Sequence, residues 1–315
     1  MPLLDTPPDS HTIGQCQIIR SPLTASMMDG TVLHGSRYEL ADDSSARRRR
    51  SKPPRQTPLL CLASELGNEK ENAAFALTLA ALAGAPSRIY TLDMRGRGAS
   101  IAKNIETSTI ATDTDDLISF CDAHNLHGVD LVVSGRSVIC VFDAAVKRPG
   151  LFGKIVFNDA APEFDGVGIA RHTAVRQRQA TPFSVEDAIA SLKQLKGDSF
   201  PALDETQWED LVAMTFATRD GKLVPQVQPG LVRFSNLVNY DDKQPDKWTQ
   251  FNLFKAHPCL LIRGERSLLI TKEISDRMAQ VHPRFREIVV EGQGHLPLLH
   301  TSGLAQSVVD FLNED

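Results

Sequence analysis

With 315 residues, 42% hydrophobic side chains and a net charge of −5, the chain has the composition of a globular protein large enough for one sizeable α/β domain. Five cysteines, odd in number and irregularly spaced, exclude a disulfide scaffold or a zinc-ligand pattern. No apolar run nears the ~20 residues of a membrane helix. The N-terminal stretch also lacks a basic start followed by an apolar segment, so a reduced, cytoplasmic setting is the expectation. Mild acidity gives no reason to expect nucleic acid or an anionic membrane as partner.

In chain order, residues 1–16 read as an N-terminal extension. Residues 17–40 read as a leading antiparallel pair around the turn Met28-Asp29-Gly30. Residues 41–58 contain no large apolar side chain, and Arg47 to Arg50 run together, so this stretch is expected to be a mobile basic loop. Short apolar runs then alternate with amphipathic ones: strand 58–63, helix 72–85, strand 87–94, helix 113–124, strand 129–135, helix 137–150 and strand 154–159. Alternation of this kind implies a mostly parallel sheet flanked by helices. Runs such as Leu131-Val132-Val133, without polar alternation, suit a sheet covered on both faces. The rhythm breaks over 164–255, where helical stretches occur without a clear buried strand. It resumes with strand 257–265, helix 272–282, strand 285–292 and helix 304–314. The economical reading is a core of residues 17–163 and 256–315 with a helical cap inserted at 164–255. Trp248 and Phe251, just before the returning strand, read as core rather than as a pocket roof. His124 and His127 lack an acidic or sulfur partner at ligand spacing and read as incidental loop histidines.

The chemistry concentrates where an apolar strand runs into Gly135-Arg136-Ser137 and a helix follows at once. A serine there either caps the helix or stands on a sharp strand-to-helix turn with its hydroxyl exposed. Four further segments occur in a telling order: Asp93-Met94-Arg95-Gly96-Arg97-Gly98-Ala99-Ser100, Asn158-Asp159-Ala160-Ala161-Pro162-Glu163, Arg263-Gly264-Glu265, and Gly292-Gln293-Gly294-His295. Together they resemble the α/β-hydrolase superfamily, in particular a bacterial branch with N-D-x-G-P-E and R-G-E-x-S-D motifs. The likeness runs over residues 28–314. It implies an α/β-hydrolase fold, no cofactor or metal, a small-molecule substrate, and a serine hydrolase acting on an ester, lactone or related acyl compound. In that scheme Ser137 attacks, His295 is the general base and acid, and the backbone N–H groups of Val138 and Glu65 hold the oxyanion.

Three positions depart from the family pattern. Leu268 stands where the acid follows Ser267, so the usual triad is incomplete. Asp159 closes the sixth strand of the family's scheme, where haloalkane dehalogenases carry their acid; it either replaces the missing acid or makes only loop hydrogen bonds. Ala63-Ser64-Glu65 replaces the His-Gly of the oxyanion loop, and Ile139 stands where the elbow's second glycine is expected. These departures leave a second function open: a hydrolase-fold ligand-binding or scaffold protein that has lost efficient turnover.

Overall fold

The computed structural model describes residues 9–41, 52–178, 181–219, 221–231 and 246–314. Arg47 to Arg50 of the basic segment lie outside them. Arg55, at its end, is fixed: its Nε donates to Asp130 Oδ2 at 2.8 Å, and its backbone pairs with Pro86.

One sheet of nine strands carries the fold, in the order β1-β2-β3-β5-β4-β6-β7-β10-β11. Its first three strands, β1 (Asp9–Ile13), β2 (Cys16–Ser26) and β3 (Val32–Leu40), are antiparallel, and β3 pairs antiparallel with β5 (Ile89–Asp93). The leading pair expected from the sequence is therefore three strands, because part of the N-terminal extension adds an edge strand. From β5 onward every pair is parallel: β4 (Leu59–Leu62), β6 (Val129–Ser134), β7 (Phe152–Asn158), β10 (Cys259–Gly264) and β11 (Phe285–Val290).

Period-two alternation divides each central strand between two apolar layers. Leu131, Val133, Ile155, Phe157 and Leu261 face one layer, with α2 (Ile110–Ala123), α3 (Val138–Lys147) and α8 (Lys272–Val281). Val132, Val156, Leu260 and Ile262 face the other, with α1 (Lys70–Ala81) and α9 (Leu304–Asn313). Burial on both faces is why these strands read as unbroken apolar runs.

Between β7 and β10 the chain forms α4 (Gly166–Arg178), α5 (Val185–Lys196), α6 (Glu205–Thr215), the antiparallel hairpin β8 (Phe216–Arg219) and β9 (Lys222–Pro225), and α7 (Trp248–Phe251). The hairpin is an addition to the helical segment expected from the sequence. Ala188, Leu192, Phe200, Trp208, Val212, Phe216 and Leu223 give this insert a small apolar core of its own. Trp248 and Phe251 belong to the main core, where Phe251 meets Phe142 and Phe157 edge-on. Among the described residues no helix is long and apolar enough to cross a membrane.

Candidate active site

The parallel strands all end on the same side of the sheet, and the loops that follow β4, β6, β7 and β10 meet there with the loop after β11. The last of these carries His295. Its approach to β10 depends on Gly264, where a Cβ would lie 2.5 Å from the carbonyl oxygens of Gln293 and Gly294. Glu265 accepts the N–H of Gly292 at 2.9 Å, and the buried Gln293 side chain accepts from Leu298 N and donates to Thr301 Oγ1. The histidine is thus presented by a loop braced at both ends.

Asp159 follows β7 directly, with φ +47, a left-handed conformation that aspartate tolerates better than most residues. The side chain is fully buried. Its Oδ2 accepts from His295 Nδ1 at 2.7 Å and from Ser267 Oγ at 2.5 Å, while Oδ1 accepts from Gly264 N at 3.2 Å. Ser267 Oγ in turn accepts the N–H groups of Leu269 and Ile270. Leu268 is 44% exposed and takes no part. With Nδ1–H turned to Asp159, the free nitrogen of His295 is Nε2.

Nε2 faces Gly135, not Ser137. A Cβ built on Gly135 would stand 3.3 Å from Nε2 and 3.1 Å from Cε1, and Gly135 has φ +51. Gly135 immediately follows the central strand, in a left-handed conformation that glycine adopts freely, so the strand-to-helix turn Val133-Ser134-Gly135-Arg136-Ser137 presents a glycine to Nε2 and not the serine. No hydrogen bond joins Ser137 to His295 among the described residues, and Ser137 sits in the turn that opens α3. Val138 N–H is spent within that turn, on the carbonyls of Gly135 and Arg136, which removes it as an oxyanion donor. Ile139, one step further along, is simply a buried residue of the core.

The dyad opens into a cavity of about 800 Å³ between the sheet end and the insert, lined by Ser64, Glu65, Glu71, Arg136, Lys196 and His295 among others. His172 of α4 packs edge-on against His295, ring centroids 5.1 Å apart. Arg97 holds the loop after β4 by donating from Nε to Glu65 O at 2.8 Å, and Arg136 Nε lies 3.8 Å from Glu65 Oε2. Glu71 was not foreseen from the sequence. It accepts from Ser64 N and Ser64 Oγ, and burial pushes its carboxyl above the ordinary glutamate range. Its one local signal is Gly67, whose missing Cβ leaves space that the Glu71 carboxylate fills. Among the described residues no cluster of three or more His, Cys, Asp or Glu is placed to hold a metal ion.

Solved structures superpose on this chain over nearly its whole length. An α/β hydrolase from Novosphingobium aromaticivorans superposes with a TM-score of 0.80 at 22% identity, covering 93% of this chain and 98% of the other. The chain has the α/β-hydrolase fold. E-2-(acetamidomethylene)succinate hydrolase shares that fold at TM-score 0.70 and 16% identity, with 94% and 100% of the chains covered. So does an esterase from Exiguobacterium antarcticum, at TM-score 0.64 and 15% identity, with 92% and 99% covered. No protein-family model and no curated protein matches the sequence.

Proposed function

We propose that this α/β-hydrolase-fold chain hydrolyses a small ester, lactone or related acyl compound without a covalent intermediate, using water activated directly by His295. The observation that carries the reading is the pairing of an Asp159-oriented imidazole with a glycine in front of Nε2. Space that a serine hydroxyl would fill is open to a water molecule. Nε2 takes a proton from that water as its oxygen bonds the acyl carbon, and the carbonyl electron pair moves to oxygen. On collapse the C–O bond to the leaving group breaks and the imidazolium returns the proton to it. Asp159 fixes the tautomer and faces the imidazolium that forms. Backbone N–H groups of Glu65 and of Arg136, the residue after Gly135, are the oxyanion donors in this reading. The hydrolases among the similar structures favour acyl cleavage as the reaction class.

A fluorophosphonate probe and an ester and lactone panel test this together. Wild-type protein is expected to turn over a panel member and remain unlabelled, while Gly135→Ser becomes labelled at the new hydroxyl. Labelling of the wild type that disappears in Ser137→Ala would restore Ser137 as nucleophile and overturn the water mechanism. The second reading, a ligand-binding protein without turnover, draws on the same missing nucleophile. It is favoured if cavity ligands bind and no panel member is hydrolysed.

A further inference from the structure

We propose that Ser64 and Glu71 form the proton-donating half of this site: the Ser64 hydroxyl hydrogen-bonds the substrate oxygen that gains charge, and Glu71 resupplies its proton. The proposal rests on the acyl-hydrolysis reading above. Its ground is geometric. Ser64 lies two residues past β4, on the loop that the family resemblance assigns to oxyanion binding. Its N–H meets Glu71 Oε2 at 2.8 Å and its Oγ meets Oε1 at 2.7 Å, so one carboxyl group spans both polar groups of the serine. Both residues line the cavity that contains His295. The loop is held from outside the pair, by Arg97 on Glu65 O and by Asn68 Nδ2 on Met214 O. Glu71 is thus not needed to build the turn alone.

The charged groups facing Glu71 are His295, from the loop after β11, and Lys196, at the end of α5. Glu65 and Arg136 line the same cavity. The bonds from Ser64 and the Lys196 charge favour the carboxylate, yet burial outweighs them and raises the carboxyl toward the protonated acid. A protonated Glu71 reverses the Oε1–Oγ hydrogen bond: Oε1–H donates to Ser64 Oγ, and Ser64 O–H is released toward the cavity. As charge develops on the substrate oxygen, Ser64 gives it a proton and takes one from Glu71. The O–H electron pair stays on Glu71, whose carboxylate keeps the Ser64 N–H bond. Collapse of the intermediate returns the proton by the same path. A hydroxyl donor of this kind compensates for a loop without the family's His-Gly.

Glutamine at position 71 imitates the protonated acid, because its oxygen accepts from Ser64 N and its amide donates to Ser64 Oγ. With p-nitrophenyl acetate as probe, the wild-type rate is expected to fall as pH rises through the Glu71 titration. Glu71→Gln, which keeps the hydrogen bonds to Ser64 but has no proton to give, should lose that fall and turn over roughly 10²-fold more slowly than wild type at low pH. Glu71→Ala and Ser64→Ala should lower kcat by roughly 10²-fold with KM nearly unchanged. Infrared difference spectra of wild type minus Glu71→Gln should contain a protonated carboxyl band at neutral pH, read independently of turnover. A missing band, a Glu71→Gln variant as fast as wild type at low pH, or a fluorophosphonate adduct on Ser64 would each overturn the donor role. Turnover that needs His295 but ignores Ser64 overturns this proposal alone. Wild-type protein that hydrolyses no ester overturns both readings.

Discussion

The ends of β7 and β10 and the end of β6 lie side by side, yet they have been treated very differently. At the first, Asp159 receives three hydrogen bonds, one of them from the Ser267 hydroxyl, and His295 is locked by Gly264 and Gln293. At the second, left-handed Gly135 presents no side chain to His295. Constellations in this fold are assembled from separate loops on one rigid sheet. One loop can therefore lose its group while the others keep theirs. The fully bonded dyad is therefore the half of the site on which the proposed chemistry depends.

The comparison breaks most visibly in turnover. His295→Ala is expected to lower kcat/KM for a panel ester by about 10²- to 10⁴-fold, the range of a lost general base. Ser137→Ala should leave the rate unchanged. Steady-state assays on the two purified variants check both, and a large loss in Ser137→Ala would return the elbow to the working half. Gly135→Ser sharpens the same contrast. A side chain at φ +51 is expected to cost about 1–3 kcal/mol of stability in denaturant titrations, while creating the hydroxyl that fluorophosphonate detects.

Much of the site was legible because its residues sit at ends of apolar runs. Asp159 closes the run Ile155-Val156-Phe157, and His295 follows a strand and two glycines. Which residue of this turn faces His295 is hidden in the sequence for a physical reason. Gly135-Arg136-Ser137 offers a visible serine, but what selects the reactive position is backbone φ and distance from the strand end, and neither is written in residue type. The apolar run stops at Val133, which was the available signal that the turn comes early. Edge strand β1, Asp-Ser-His-Thr-Ile, shows no apolar alternation: only Ile13 packs against the core, and pairing with β2 defines the rest. Glu71 looks like any acidic residue in a first helical turn; only its folded neighbours distinguish it.

Smaller effects test how the retained half is braced. Gly264→Ala places a methyl against two backbone oxygens that cannot move independently, so a loss of about 1–3 kcal/mol and a displaced His295 are expected. Ser267→Ala removes the hydroxyl between Asp159 and two backbone N–H groups, at about 1–3 kcal/mol. If Ser267 is a brace, its variant should keep His295 in place, which the His295 ring resonances in NMR would report. A shift as large as that of Asp159→Asn would make Ser267 part of the dyad itself.

The last test concerns the open half, where Asp93 ties the two loops beneath the cavity by accepting the N–H groups of Glu69 and Ala99. Burial, reinforced by the Glu69 charge, pushes this carboxyl up to about 7. Unfolded, it titrates near the ordinary aspartate value, so between these limits the native state binds the extra proton. Its contribution to stability is complete at low pH and declines as pH rises toward and through about 7. Asp93→Asn cannot ionise. Its stability relative to wild type should therefore improve from pH 5 to about pH 7 and level off above it in urea titrations. A difference independent of pH would mean that Asp93 is ionised throughout, and that burial and the charge of Glu69 do not raise it.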